Sequence, residues 1–109
     1  MLTFFCGKMG AGKTTLSKQL ASERSAVLIS EDVWLAALYP NKIHSLKEYV
    51  FYSNLIKPLV KELVQNILGA GGQVVMDFPA NTVAQRQWFK SIYSEINADH
   101  ELYYIRAND

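Results

Sequence analysis

Gly7-Lys8-Met9-Gly10-Ala11-Gly12-Lys13-Thr14 is the stretch that decides the fold. Two glycines with four residues between them, followed by lysine and a hydroxyl residue, spell a phosphate-binding loop. The spelling follows from the chemistry. Glycines let consecutive backbone N–H groups turn inward around a polyphosphate without side chains in the way, and the lysine supplies a mobile point charge for the β- and γ-phosphates. Thr14 offers its hydroxyl to Mg²⁺, and Thr15 follows on the same turn. The candidate phosphate-binding residues are therefore Gly7, Lys8, Met9, Gly10, Ala11, Gly12, Lys13, Thr14 and Thr15.

Context separates a working loop from a glycine-rich turn. A chance match to four constrained positions in a chain this size is on the order of one in a few hundred. Here the motif follows Leu2-Thr3-Phe4-Phe5-Cys6, a short apolar run rich in strand formers. It opens a segment from Thr14 to Ala21 in which Leu16 and Leu20 share one helical face. A helix starting there points its partial positive charge at the phosphates.

The chain has 109 residues, 50% of them hydrophobic, with one cysteine and a formal charge of +1. That describes one small α/β domain over residues 1–109, short for a complete nucleotide-handling enzyme because every parallel strand pair needs a crossover. Near-neutral charge leaves no electrostatic footprint for duplex DNA or an anionic membrane. Cys6, alone at the end of a buried strand, reads as a small core residue in a reducing, cytoplasmic setting. The apolar start lacks a basic leader region and runs straight into the loop, which argues against a signal peptide. No apolar run approaches the length needed to span a membrane.

Downstream, Ser25 to Ser30 predicts a second strand, followed at once by Glu31 and Asp32. In an open α/β sheet the ligand crevice lies beyond the carboxyl ends of the strands, which puts Asp32 on the rim of the phosphate loop. There a carboxylate can accept a proton from an acceptor hydroxyl or orient it. Alternatively Ser30 or Asp32 caps the helix containing Trp34, Leu35 and Leu38. Tyr39-Pro40-Asn41 breaks the chain, and from Leu46 to Leu68 apolar residues recur at helical spacing, interrupted by Pro58. Either a kink or two consecutive helices is expected. Trp34, Tyr39, Tyr49 and Tyr52 line an acceptor pocket or pack the core, and Lys57, Lys61 and Glu62 read as a solvated face.

Gly69-Ala70-Gly71-Gly72 ends the helix, and Gln73 to Asp77 predicts a third strand closed by an acid. An acid in that position holds Mg²⁺, usually through water, beside nucleotide phosphates. Asn81 or Thr82 caps a further helix through Arg86, Trp88 and Phe89. Leu102-Tyr103-Tyr104-Ile105 is the fourth strand. Neither His44 nor His100 has a partner at metal-ligand spacing.

Gly7 to Thr14, the Ser30-Glu31-Asp32 turn, and Val74 to Thr82 with Gln85, Arg86 and Trp88 together resemble the small kinase-like AAA-family ATPases of the zeta-toxin, chloramphenicol phosphotransferase and polynucleotide-kinase group. The resemblance covers nearly all of the chain. It implies an ATP- and Mg²⁺-dependent phosphotransferase with parallel strand order 2-3-1-4-5, of which this sequence supplies 2-3-1-4 without the fifth strand. It further implies that Lys13 and Thr14 act on phosphate and metal, that Asp77 is the Walker B acid, and that Asp32 is the base or acceptor-orienting residue. Asp32, Trp34, Asn81 and Arg86 are the candidate acceptor-site residues. Such kinases continue into an arginine-bearing lid, whereas here only Arg24, Arg86 and Arg106 are at hand. An arginine finger is worth about 10³ to 10⁵ in rate.

Three functions are thus open: a kinase for a small hydroxyl-bearing acceptor, a nucleotide-binding regulatory module without transfer, and an NTPase with Gln85 positioning water. A nucleic-acid 5′-hydroxyl as acceptor is disfavoured by the flat charge balance. An outer strand carrying Tyr103 and Tyr104 is an apolar edge that invites pairing, as in a homo-oligomer.

Overall fold

The computed structural model describes residues 1–7 and 12–106. Four strands, β1 (Leu2–Gly7), β2 (Val27–Ser30), β3 (Val74–Asp77) and β4 (His100–Ile105), form one sheet in the order β2-β3-β1-β4. Every neighbouring pair is parallel. The helices are α1 (Lys13–Arg24), α2 (Glu31–Leu38), α3 (Leu46–Gly69) and α4 (Val83–Ser94). Strand order explains strand composition. The two inner strands carry near-continuous apolar runs, with Leu2, Phe4, Phe5, Val74, Val75 and Met76 all buried. The outer β2 and β4 are only partly covered.

Alternation along β1 sends Phe5 to one face and Leu2 and Phe4 to the other. On the first face Phe5 and Val75 pack with Leu20 and Ala21 of α1. On the second, Phe4 and Met76 meet Ile56, Val60 and Val64 of α3 and Phe89 and Ile92 of α4. Phe4 and Phe89 stack with ring centroids 4.3 Å apart. Each fully buried side chain of this size contributes about 1.5–3 kcal/mol. The second face holds the larger cluster and fixes where α3 and α4 lie.

Pro58 does not divide α3, which runs unbroken for 24 residues. Of the two expectations, a kink or two consecutive helices, the second is therefore corrected. Proline removes the bond to the carbonyl of Asn54, and both residues are exposed, so water can take that carbonyl. Ile56, Val60 and Val64, buried on either side of the proline, anchor both halves to the core. Ser45 starts the helix by accepting from the Glu48 N–H at 3.1 Å.

Lys57 and Lys61 depart from the expected solvated face. Lys57 lies over the Trp88 ring at 5.4 Å, and Lys61 pairs with Glu95 at 2.7 Å, so both tie α3 to α4. The β4 edge also differs from expectation. Tyr104 is exposed, but Tyr103 stacks on Phe5 and its hydroxyl accepts from Arg24 at 2.8 Å. Arg24 also pairs with Glu101. Burial acts to raise the Glu101 carboxyl, and the guanidinium outweighs it and holds the group below its usual range. No helix among the described residues is long and apolar enough to cross a membrane.

Candidate nucleotide and acceptor site

Register assembles the site. Ser30 lies opposite Asp77, so β2 and β3 end side by side and deliver Glu31, Asp32 and Asp77 to one rim. β1 ends on the same rim at Gly7, opposite Ile105. A Cβ at Gly7 would sit 2.5 Å from the Ile105 carbonyl oxygen. Glycine is thus required there by the close approach of β4, a reason the motif alone does not disclose. Gly12, at φ 88°, precedes α1 in the left-handed region and offers no side chain to its N-terminus. Among the described residues no side chain caps the first N–H groups of α1, and such groups suit an anionic ligand. Lys8, Met9, Gly10 and Ala11 lie outside the described residues.

A cavity of about 840 Å³ occupies this rim, lined by Gly7, Gly12, Lys13, Thr14 and Thr15. Glu31, Asp32, Tyr49, Asp77, Asn81 and Gln85 line it as well. Lys13 Nζ stands 3.7 Å from an Asp77 carboxylate oxygen. The Asp77 side chain is 5% exposed and that of Lys13 28%, so the lysine bridges the buried acid and the open cavity. The Asp77 carboxylate and the Thr14 hydroxyl both line this cavity and are oxygen donors of the kind Mg²⁺ takes alongside phosphate oxygens, while the Lys13 ammonium can only offset phosphate charge.

Asp32 is exposed on the first turn of α2 and lines the cavity. The capping alternative is not what the structure shows: Ser30 stands at the N-cap without a side-chain hydrogen bond, and Asp32 makes none among the described residues.

Glu31, its neighbour, was not singled out from sequence. It is 2% exposed, accepting from Ser53 at 2.7 Å and from the Tyr49 hydroxyl. Burial, then the bond to Glu31, raises the Tyr49 phenol far above its ordinary value, so it stays a donor. The missed signal was Ser53, a hydroxyl placed among apolar residues on the buried face of α3.

Of the remaining candidates, Asn81 lines the cavity but commits its side chain to the loop. Its oxygen accepts from the Gly7 N–H and its nitrogen donates to the Gly7 carbonyl, both at 2.9 Å. Asn81 thus braces the point where β1 enters the phosphate loop. Trp34 packs against the main core and does not line the cavity. Arg86 donates to the Ala80 carbonyl at 3.2 Å, and Arg24 is held by Glu101 on β4. Gln85 is not free to position water through its oxygen, which accepts from the N–H groups of Asn81 and Thr82. With Thr82 it forms the capping box of α4.

The brace carries a prediction. Asn81→Ala should cost about 1–2 kcal/mol, since two hydrogen bonds to the backbone of one residue, Gly7, are lost at a half-open site. It should also weaken nucleotide binding more than that stability loss explains, measured by thermal denaturation with and without Mg·ATP. An unchanged ligand-induced shift would show that Gly7 holds its position unaided.

Residues 2–109 match the model of the AAA domain family. Among solved structures, a chain of the Pnkp1/Rnl/Hen1 complex is 21% identical with a TM-score of 0.77, over 95% of this chain and 34% of that one. The APS kinase CysC of Mycobacterium tuberculosis is 13% identical with a TM-score of 0.64, over 96% of this chain and 74% of that one. The hexameric APS kinase of Thiobacillus denitrificans is 13% identical with a TM-score of 0.62, over 96% and 22%. This chain therefore spans about a third of the first of these. No curated protein matches it. At these identities the likeness is one of fold, a parallel sheet in the order 2-3-1-4 with helices between its strands. The chain belongs to the AAA domain family and carries its P-loop, nucleotide-binding, kinase-like fold.

Proposed function

We propose that this chain binds Mg·ATP and transfers the γ-phosphoryl group to a small hydroxyl-bearing acceptor. The observation that carries this reading is the convergence of Lys13, Asp77 and Asp32 on one cavity. Lys13 supplies positive charge to the β/γ-phosphates and is kept near them by Asp77. Thr14 and Asp77 would hold Mg²⁺, which when bound neutralises charge on the β- and γ-oxygens. Asp32 accepts the proton of the attacking hydroxyl, or orients it in line. Cys6 and the near-neutral charge fit a reducing, cytoplasmic setting.

A second reading, nucleotide binding without productive transfer, is favoured by one observation. Among the described residues no arginine lines the cavity. Without such a cation the charge developing on the transferred group is met by Lys13 and metal alone, and transfer then needs an arginine in trans.

The test uses ATP labelled in the γ-phosphate, Mg²⁺ and a set of hydroxyl compounds, with wild type and Asp77→Asn. Label in an acceptor product, lost with Mg²⁺ removal and reduced at least about tenfold in Asp77→Asn, is the expected result. ADP formed at one rate with and without acceptors would instead identify a hydrolase or regulatory module. For Asp77→Asn, ATP with EDTA should stabilise the fold as it does wild type, whereas the extra increment from Mg²⁺ should disappear.

A further inference from the structure

A second cleft, of about 410 Å³, opens beside the nucleotide cavity and shares two residues with it, Asp32 and Tyr49. Its walls are Leu35, Ala36, Tyr39, Pro40 and Ile43, with Asn41 at the rim. Asp32 is thus the joint between the cavity at the start of α1 and an apolar cleft. The apolar space is built rather than accidental. Tyr39 packs on Tyr52 with centroids 4.5 Å apart, and Leu35 is buried in the main core. The loop after Tyr39 is tied down by the Lys42 N–H donating to the Tyr39 carbonyl at 3.3 Å. A His44 ring nitrogen lies 2.8 Å from the Asn41 carbonyl oxygen.

Charge is the informative feature of this cleft. Among the described residues it has one charged group, the Asp32 carboxylate, and neither Lys42 nor His44 lines it. An anion placed there would face a carboxylate with no cation in the described lining to offset it. A flat, uncharged body loses nothing polar and gains contact with Tyr39 and Ile43, and an ammonium group gains Asp32 as partner.

We infer that this cleft receives the body of the acceptor and selects a ring-bearing hydroxyl compound that is neutral or cationic, excluding sugar phosphates, nucleotides and 5′-hydroxyl oligonucleotides. That the ligand is an acceptor rests on the phosphotransfer reading above; that it binds here does not, and the experiment separates the two. A matched series differing in charge serves as probe: tyrosol (neutral), tyramine (cationic) and 4-hydroxyphenylacetate (anionic). Binding is read by ligand-observed saturation-transfer NMR without nucleotide, on wild type, Ala36→Lys and Ala36→Glu. Ala36 is an exposed helical position, so both variants should fold, with circular dichroism as the check.

Wild type should bind tyrosol and tyramine and prefer both to the anion. Ala36→Lys should move the tyramine-to-anion preference roughly two- to fivefold towards the anion, and Ala36→Glu should move it the other way. Equal or better binding of the anion by wild type overturns the inference. So does an unchanged preference in both variants, which would place the ligands elsewhere, and so does failure of all three probes to bind. Binding with the expected preference but no phosphate transfer from Mg·ATP would uphold the cleft and refute the kinase reading.

Discussion

Asp32→Asn should lower phosphoryl transfer by about 10²-fold while leaving Mg·ATP binding intact. General-base assistance is worth about 10² to 10⁴ in rate. The low end is expected because a loose phosphoryl-transfer transition state removes the hydroxyl proton late and asks little of the base. The substitution keeps the side chain's shape and removes only its ability to take a proton. Structure makes Asp32 the residue to test rather than its neighbour. Glu31 is buried and receives hydrogen bonds from Ser53 and Tyr49, whereas Asp32 is exposed at the junction of the two cavities. The measurement pairs label transfer with the Mg·ATP-induced rise in melting temperature. Transfer within threefold of wild type would remove Asp32 from the mechanism. Loss of the thermal shift as well would mean that it serves nucleotide binding instead.

The contrast between Glu31 and Asp32 marks how far the sequence could be read. Hydrophobic runs and glycine punctuation located all four strands, because a parallel sheet buries its inner strands on both faces and leaves a compositional trace. The ends of those strands were legible too, since a phosphate loop, an acid pair and a terminal acid follow directly from them. What two adjacent carboxylates do was not legible. Their difference depends on Ser53 and Tyr49, which lie on α3 and reach Glu31 only once that helix packs over α2.

The same limit explains the polar residues after β3. Asn81, Gln85 and Arg86 all stood at the right place for an acceptor or a water, yet their bonds run to Gly7, to the start of α4 and to Ala80. A polar side chain next to a strand end or helix start finds backbone groups within reach first, and each such hydrogen bond contributes about 0.5–1.5 kcal/mol. Pro58 shows the reverse case. A local breaker was overridden by burial on both sides of it, since one lost hydrogen bond at an exposed carbonyl is small against three buried aliphatic side chains.

Lys13→Ala should abolish the stabilisation of this chain by Mg·ATP, and the size of the wild-type effect makes the result decisive. Ligand at about a hundred times its dissociation constant adds roughly 2.7 kcal/mol. At about 4–8 °C per kcal/mol for a domain of this size, that is on the order of 10–20 °C in melting temperature. The unliganded variant is not a neutral baseline, because Lys13 also pairs with Asp77. Losing that partner leaves an almost buried carboxylate alone. The lysine is partly exposed, so this pair contributes at most about 1 kcal/mol, and the unliganded variant should melt a few degrees lower. The readout must therefore be the ligand-induced difference within each protein, not the melting temperature of either. A shift in Lys13→Ala equal to that of wild type would mean that the nucleotide is held without the loop lysine. A small unliganded loss with no ligand-induced shift is the signature of a lysine whose charge serves the phosphate and whose resting partner is Asp77.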